Sequence, residues 1–129
     1  MKILGIGVDL VHNKRLKTSL KNKKFINRIF TKNEIKESLS LKKKINFFSK
    51  RFAAKESLSK AIGTGFRNNL NVKEIEIINN KYGKPIYILN KKMRNLISKE
   101  LKVKNFNLFL SISDENEYSI AFTIIQKDR

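Results

Sequence analysis

The pattern of apolar and polar positions predicts a strand at the start of the chain, over residues 2–11 (KILGIGVDLV). Its two faces carry Leu4, Ile6, Val8 and Leu10 on one side and Ile3, Gly5, Gly7 and Asp9 on the other. Glycine inside a strand often marks the close approach of another backbone or of a ligand. Two interpretations of the second face stay open. One is a ligand site at the Asp9 carboxylate, and the other is a helix packed on the glycines with Asp9 capping the next element.

Two hairpins are predicted further along the chain. The first consists of residues 72–78 (VKEIEII), the turn-rich segment NNKYGKP and residues 86–89 (IYIL). The only proline of the chain, Pro85, lies in this turn and fixes the local backbone φ angle. The second hairpin consists of residues 106–114 (FNLFLSISD) and 117–125 (EYSIAFTII), joined by the acidic segment DENE.

Helical periodicity predicts helices over residues 13–20, 24–40, 46–62 and 91–101. Thr31 and Glu34 fit a capping box, so a new helix is predicted to begin there. Gly63 is expected to end the helix over 46–62. The order strand, helices, hairpin, helix, hairpin favours an α+β fold with a mainly antiparallel sheet and packed helices. A chain of 129 residues suits a single domain over residues 1–129.

The helix over residues 46–62 has an unusual distribution of charge. Glu56 and Lys60 lie together, far from the apolar side, whereas Arg51 and Lys55 fall inside the apolar arc. The apolar arc contains Phe47, Phe48, Leu58, Ala61 and Ile62. One explanation is that both long side chains extend to water along the apolar surface. The other is an anion bound at the edge of the core, with Glu56 free for a second task.

Composition narrows the range of functions. The chain has 29 Lys and Arg against 11 Asp and Glu, a net charge of +18, which attracts polyanions or an acidic protein. Lys and Asn have AT-rich codons, so part of this charge is attributable to genome composition. Without cysteine there are no disulfides or thiolate metal sites, and the single His12 disfavours a histidine-based triad or zinc site.

No membrane span or signal peptide is predicted. The apolar stretch ILGIGV near the N-terminus is too short to cross a bilayer, and it continues into Asp9 without a cleavage site. We therefore expect a cytoplasmic protein that does not bind membranes.

Asp9 and Glu56 are the two unusual carboxylates. Mg²⁺ prefers one or two protein carboxylates together with waters and substrate phosphates. The pair, with Lys60 and other cations nearby, therefore predicts a site for a metal–diphosphate complex. The alternative for Glu56 is an ordinary surface ion pair worth under about 1 kcal/mol.

Four segments in order resemble the holo-[acyl-carrier-protein] synthases, which are small 4′-phosphopantetheinyl transferases. They are GIGVDLV (5–11), RFAAKES…SKAIGTG (51–65), GKP (83–85) and SISDENEYSIAF (111–122), and they extend across nearly the whole chain. The resemblance implies that coenzyme A donates 4′-phosphopantetheine to a serine of apo acyl carrier protein and that adenosine 3′,5′-bisphosphate leaves. It also implies a homotrimer with active sites at subunit interfaces and a role in fatty acid biosynthesis.

The resemblance assigns roles to residues by position. Asp9 and Glu56 match the Mg²⁺ carboxylates, and Lys60 matches a lysine near the diphosphate. The positions expected to line the coenzyme A site are Arg51, Lys60, Gly63, Thr64, Gly83, Lys84 and Pro85. Arg15, and less strongly Phe25, match positions that meet the carrier protein.

One position departs from the family pattern. Asp114 stands where many members have a histidine near the phosphates of coenzyme A, and an ionised aspartate cannot donate a hydrogen bond to phosphate. That contact is therefore not expected here. The general base that takes the serine proton is left open between a metal-bound water, Glu56 and Asp9.

The main rival function is nucleic-acid binding, which the basic pI of about 10.3 favours. The aromatic residues are mostly phenylalanines at core-like positions, and no RNA-binding motif is present, so we expect no nucleic-acid partner. A membrane-binding structural protein is also disfavoured, because no helix combines a strong apolar face with an interfacial anchor and tryptophan is absent.

Overall fold

The computed structural model describes residues 1–63 and 71–128. Within this part of the chain it contains five strands and five α-helices. In chain order they are β1 (Ile3–His12), α1 (Asn13–Ser19), α2 (Lys23–Ile29), α3 (Lys32–Ser38), α4 (Lys44–Ile62), β2 (Ile75–Asn79), β3 (Pro85–Leu89), α5 (Lys91–Leu101), β4 (Phe106–Asp114) and β5 (Tyr118–Lys127). The predicted α+β class is confirmed.

Of two predicted regions, one agrees with the structure and one differs in its start. The helical region predicted over 24–40 is divided at Thr31, as the capping box predicts: Phe30 has an extended backbone at the end of α2, and Thr31 caps α3. The capping box of Thr31 and Glu34 is confirmed. The strand predicted from residue 72 begins at Ile75, because Asn71 accepts a hydrogen bond from the Lys73 N–H and caps a 3₁₀ turn over Val72–Glu74.

The strands form two antiparallel sheets rather than one. β5 lies between β1 and β4, with Phe122 opposite both Val8 and Ser111. β2 and β3 form a separate two-stranded sheet. The pairing of the first strand with the last brings distant parts of the chain together, and no local pattern predicts it.

The glycines of β1 allow α4 to approach the sheet closely. A Cβ atom at Gly5 would overlap the backbone carbonyl of Ala61, and one at Gly7 would overlap that of Ser57. The interpretation of a helix packed on the glycines is therefore confirmed. Asp9 does not cap α1, because the N-cap residue is His12 and it makes no side-chain capping bond.

The two faces of the three-stranded sheet differ sharply. The face toward α4 is buried and contributes Ala121, Thr123 and Ile125 to the interior. The opposite face leaves large apolar side chains in solvent: Ile6, Val8, Leu10, Phe109, Ile120 and Phe122, each at least 39% exposed. We call these six residues the exposed sheet face.

The remaining core lies on the other side of α4, where its most deeply buried members are Phe30, Leu58, Ile77, Met93 and Ile97. Gly63 ends α4 in a left-handed conformation with φ of 93°, as predicted. Among the described residues, no helix is long and apolar enough to span a membrane.

Candidate active site

Asp9 lies on the buried face of β1, where the glycines have brought α4 close. Its Oδ1 atom accepts a hydrogen bond from Lys60 Nζ at 3.0 Å. The Lys60 ammonium also donates to the carbonyl of Val8 at 3.1 Å. The glycine-lined face, the carboxylate and the lysine predicted from the sequence are therefore together in space.

A cleft of about 350 Å³ contains both predicted metal carboxylates. It is lined by Asp9, Leu10, Val11, His12, Arg15, Leu16, Ser19, Phe25, Phe52 and Glu56. β1 supplies Asp9 and α4 supplies Glu56, so the juxtaposition depends on the packing of helix on sheet. Arg15 and Phe25, predicted to meet the carrier protein, lie in the walls of the same cleft.

Both carboxylates are partly withdrawn from water. Burial raises the pKa of Asp9 above its ordinary value, although the hydrogen bond and charge of Lys60 lower it again in part. Burial also raises the pKa of Glu56, and the negative charge of Asp9 raises it further. A bound cation would reduce both the desolvation cost of these two carboxylates and the repulsion between them.

The aromatic wall of the cleft is formed by Phe25 and Phe52, whose ring centroids are 6.0 Å apart. Phe25 also packs edge-on against Phe30 of the core. His12, which was not predicted as a site residue, stands in this wall with its ring 5.1 Å from that of Tyr118. Only its position at the end of β1, three residues after Asp9, offered a signal in the sequence.

Arg51 is not in this cleft. It is 2% exposed and lies on another side of α4, where its guanidinium carbon is 3.9 Å from the centroid of the Phe47 ring. Its Nη2 atom is 3.8 Å from Glu37 Oε2, too far for a hydrogen bond, and neither Nε nor Nη2 has a hydrogen-bond partner among the described residues. Burial lowers the pKa of Arg51, and the charges of Glu37 and Glu34 partly offset this effect.

The cavity beside Arg51 has a volume of about 140 Å³. It is lined by Lys50, Arg51, Asn79, Gly83, Pro85, Ile112 and Asp114. Two of the predicted coenzyme A residues, Gly83 and Pro85, therefore lie beside Arg51. Lys84 is exposed in the same turn, where its N–H donates to Asn80 Oδ1 at 3.0 Å, and it is not in the cavity wall.

The remaining predicted positions have simpler outcomes. Gly63 is the C-cap of α4, and Thr64 lies outside the described residues. Asp114 lies in the wall of the Arg51 cavity, where its Oδ2 atom accepts a hydrogen bond from Asn46 Nδ2 at 2.7 Å. Asn46 and Asn79 were not predicted as site residues, because isolated asparagines in a lysine- and asparagine-rich chain carry no local signal.

Lys55 does not extend to water. Its side chain is fully buried, and its Nζ atom is 2.6 Å from Glu34 Oε1. The explanation that Arg51 and Lys55 reach the solvent is therefore wrong for both residues, because both are buried and Lys55 forms its ion pair inside the core. Apolar periodicity places the two residues correctly, but it cannot reveal a partner on another helix.

Comparisons with known proteins agree with this geometry. A model of the 4′-phosphopantetheinyl transferase superfamily matches residues 5–123. A holo-[acyl-carrier-protein] synthase of Pelagibacter ubique is 55% identical over 98% of this chain and 99% of its own length. One of Clostridium beijerinckii is 43% identical over 96% and 98%.

Solved structures give the same result. The chain is 34% identical to a crystal structure of a holo-(acyl-carrier-protein) synthase from Bacillus anthracis in complex with CoA (3′,5′-ADP), with a TM-score of 0.82 and coverage of 98% of both chains. The enzyme from Neisseria meningitidis is also 34% identical, with a TM-score of 0.88 over 98% of this chain and all of the other. The chain belongs to the 4′-phosphopantetheinyl transferase superfamily, and its predicted resemblance to the holo-[acyl-carrier-protein] synthases is confirmed.

Proposed function

We propose that the chain transfers 4′-phosphopantetheine from coenzyme A to a serine of apo acyl carrier protein. The serine oxygen attacks the β-phosphorus of the coenzyme A diphosphate and forms a phosphodiester. The bond from that phosphorus to the bridging oxygen breaks, adenosine 3′,5′-bisphosphate leaves, and the serine proton passes to a base. The observation that carries the proposal is the shared cleft of Asp9 and Glu56, in a chain of this family.

The donor set of the cleft fits Mg²⁺. Among the described residues there is no group of three or more acidic, histidine or cysteine side chains, so a cage made only of protein ligands is absent. Two carboxylates with raised pKa values, Asp9 and Glu56, match an ion that keeps waters and phosphate oxygens as its other ligands. Mg²⁺ held by Asp9 and Glu56 would supply charge neutralisation and Lewis-acid polarisation to a bound diphosphate.

Lys60 is placed to assist the leaving group. Its ammonium lies at the cleft, hydrogen-bonded to Asp9, while its side chain is half exposed and can turn toward a bound phosphate. We assign it to the charge that develops on the departing bisphosphate. Glu56, Asp9 and a water in the cleft are the candidates for the base, and a carboxylate that ligates Mg²⁺ would be a weak base.

The cavity beside Arg51 is proposed to take a phosphate-bearing part of coenzyme A. Two buried guanidinium nitrogens without partners cost free energy that hydrogen bonds to an anion recover. Gly83 and Pro85 line the same cavity. The complex of the Bacillus anthracis relative with CoA supports this choice of ligand.

The proposed active site is formed by two copies of the chain. The Arg51 cavity and the Asp9–Glu56 cleft have no lining residue in common. The exposed sheet face is a continuous apolar surface of the kind that association covers. We propose that it packs in a homotrimer and that the Arg51 cavity of one subunit adjoins the cleft of the next.

The carrier protein is proposed to dock at the cleft entrance. Arg15 and Phe25 lie beside the carboxylates and combine a cation with an apolar ring. Acyl carrier proteins are acidic, so a net charge of +18 speeds their association by electrostatic steering. The holo carrier then serves fatty acid biosynthesis, and we place the reaction in the cytoplasm.

Intact-mass spectrometry tests the proposal directly. Apo acyl carrier protein incubated with the chain, coenzyme A and Mg²⁺ should gain the mass of one phosphopantetheine, roughly 340 Da from its formula, and chelation of the metal should abolish the gain. Asp9→Asn and Glu56→Gln should also abolish it. Glu100→Gln in α5 is the matched control and should remain active. Transfer that persists in both cleft variants would refute the assignment, and no transfer to any carrier by the folded protein would refute the function.

A further inference from the structure

The buried ion pair of Glu34 and Lys55 joins four elements of the structure. All three protons of the Lys55 ammonium are used: it donates to Glu34 Oε1 at 2.6 Å, to the carbonyl of Ile75 at 2.6 Å and to that of Val72 at 3.3 Å. Lys55 lies on α4, Val72 in the 3₁₀ turn and Ile75 at the start of β2. This ammonium therefore fixes α4 to the segment that enters the two-stranded sheet.

Glu34 completes the connection from α3. Its Oε1 atom also accepts the Thr31 N–H at 2.9 Å, and its Oε2 atom accepts the Ile77 N–H at 3.0 Å. Both carboxylate oxygens are therefore occupied, and the side chain is 1% exposed. Every partner is a backbone group or the Lys55 ammonium, so the pair sets the relative positions of main-chain segments.

Stability alone does not account for this pair. Desolvation of two charges costs several kcal/mol per ion, and replacement of a buried ion pair by apolar residues is often neutral or stabilising. The hydrogen bonds of the pair, in contrast, require a defined distance and direction. They therefore fix the spacing and register of the backbone segments that they join. A two-stranded sheet such as β2–β3 needs support from neighbouring elements, because a two-stranded hairpin alone is marginally stable.

The pair lies one helical turn from Arg51. Lys55 follows Arg51 by four residues, so both project from the same side of α4. The cavity beside Arg51 has α4 as one wall and, as another, the β2–β3 hairpin with Asn79, Gly83 and Pro85. The pair joins α4 to β2 at Ile75, the start of the strand whose last residue, Asn79, lines the cavity.

We propose that Glu34 and Lys55 are a positioning pair for coenzyme A, which holds the β2–β3 hairpin at a fixed distance from Arg51. This inference rests on the proposed function only in the identity of the ligand. Neither residue lines the cavity or the Asp9–Glu56 cleft, so the pair acts through the position of the hairpin. The carrier-binding residues lie in the cleft, so the pair should leave carrier recognition unchanged.

The test compares four variants with the wild type: Lys55→Met, Glu34→Gln, the double variant, and Lys36→Met as a control that removes an exposed lysine of α3. Calorimetry without metal measures the affinity for adenosine 3′,5′-bisphosphate, and steady-state kinetics measures KM for coenzyme A and for the carrier separately. We expect both single variants to weaken bisphosphate binding and to raise KM for coenzyme A by roughly tenfold, with KM for the carrier unchanged. Lys36→Met should match the wild type.

The double variant protects the test against failure to fold. It contains no unpaired buried charge, so it should melt at a higher temperature than either single variant, yet it should still bind the bisphosphate weakly. Wild-type affinity and KM in the double variant would overturn the inference and leave the pair a structural feature. If the wild type transfers phosphopantetheine but the pair variants keep its bisphosphate affinity and its KM for coenzyme A, this inference alone is refuted. A wild-type protein that binds no bisphosphate refutes the coenzyme A assignment as well.

Discussion

At the scale of single residues, the polar atoms that the fold leaves unpaired are the best guide to ligands. Lys55 and Arg51 are both buried on α4, but all three protons of the Lys55 ammonium are bonded, whereas two Arg51 nitrogens have no hydrogen-bond partner among the described residues. An unpaired buried donor costs about 1–3 kcal/mol, and more if it is charged. Lys55 is therefore satisfied within the fold, whereas the unpaired donors of Arg51 support its proposed role in binding.

Glu56→Gln should stabilise the metal-free protein at neutral pH. The raised pKa of Glu56 means that the folded state binds a proton there more tightly than the unfolded chain does. That gain is complete below the ordinary value of 4.5 and is lost as pH rises through the folded pKa, so at neutral pH the charged carboxylate no longer contributes it. In thermal melting without divalent ions, the Tm of Glu56→Gln minus that of the wild type should therefore be larger at neutral pH than at acid pH. Added Mg²⁺ should stabilise only the wild type, and a lower Tm of the variant at neutral pH would contradict this account.

Arg51→Met should separate binding from stability. The substitution keeps an apolar stem beside Phe47 and removes the unpaired donors, so the free energy of unfolding should change by less than about 1 kcal/mol. KM for coenzyme A should rise by about 10–100-fold, the value expected for lost charge-assisted hydrogen bonds. Arg28→Met, at an exposed position of α2, serves as the control. If Arg51→Met were destabilised while its KM for coenzyme A stayed unchanged, Arg51 would have a structural role rather than a binding role.

At the scale of elements, α4 is held from two sides. Gly5 and Gly7 admit it to the sheet on one side, and the pair of Glu34 and Lys55 fixes it to α3 and β2 on the other. These two contacts determine where Glu56 meets Asp9 and where Arg51 meets the β2–β3 hairpin. The helix is therefore the element from which both halves of the proposed site are built.

Gly7→Ala should disrupt this packing. The new Cβ atom would overlap the backbone carbonyl of Ser57, so strand and helix must separate, at a cost of at least about 2–3 kcal/mol. Gly63→Ala is the comparison, because no atom of the described residues lies within 4 Å of a Cβ placed there, and its φ of 93° opposes a side chain at a cost of about 1–2 kcal/mol. Urea unfolding of both variants measures the difference. Equal destabilisation would show that the helix tolerates a shift.

At the scale of the whole molecule, the chain contains two halves of one proposed site that face different directions. The carboxylate cleft and the Arg51 cavity lie on different sides of α4, and the exposed sheet face is free of any covering element in the described chain. Association of copies through this face satisfies both observations.

Phe122→Lys should dissociate the proposed trimer. Phe122 lies on the central strand of the exposed sheet face and is 41% exposed, so the substitution should leave the fold of one chain intact. Light scattering should give about three chain masses for the wild type and one for the variant, with loss of transfer. Ile88→Lys is the matched control, because Ile88 is 42% exposed on the other sheet. Equal masses for Phe122→Lys and the wild type would exclude this face as the interface.

Mixed trimers should recover activity from one inactive variant and one with impaired coenzyme A binding, when coenzyme A is held well below the KM of the Arg51→Met variant. In co-expressed Arg51→Met and Glu56→Gln chains, some interfaces combine the intact Glu56 cleft of one subunit with the intact Arg51 cavity of the next. Transfer should return to roughly a quarter of the wild-type rate, as expected from random assembly of equal amounts. Absence of recovery in mixed trimers verified by mass would show that the site lies within one chain.

The sequence by itself determined most of the elements and the family, and it named the candidate site residues. Apolar periodicity identified α4 and α5, turn residues identified both hairpins, and the capping box marked the start of α3, because each depends on neighbours within a few residues. The ordered motifs identified the family, since they extend across most of the chain. The unusual charges at Arg51 and Lys55 were visible, but their partners were not.

Tertiary structure decided the rest. Pairing of β1 with β5, the division into two sheets and the bond of Lys55 to Glu34 all join residues far apart in the chain, and their free energies depend on packing rather than on local propensity. The same packing brought Asp9 to Glu56 and carried Arg51 to a different side of the helix, although Arg51 and Glu56 are close in sequence. Side-chain direction around a helix changes by about 100° per residue, so proximity in the chain does not place two groups in one site.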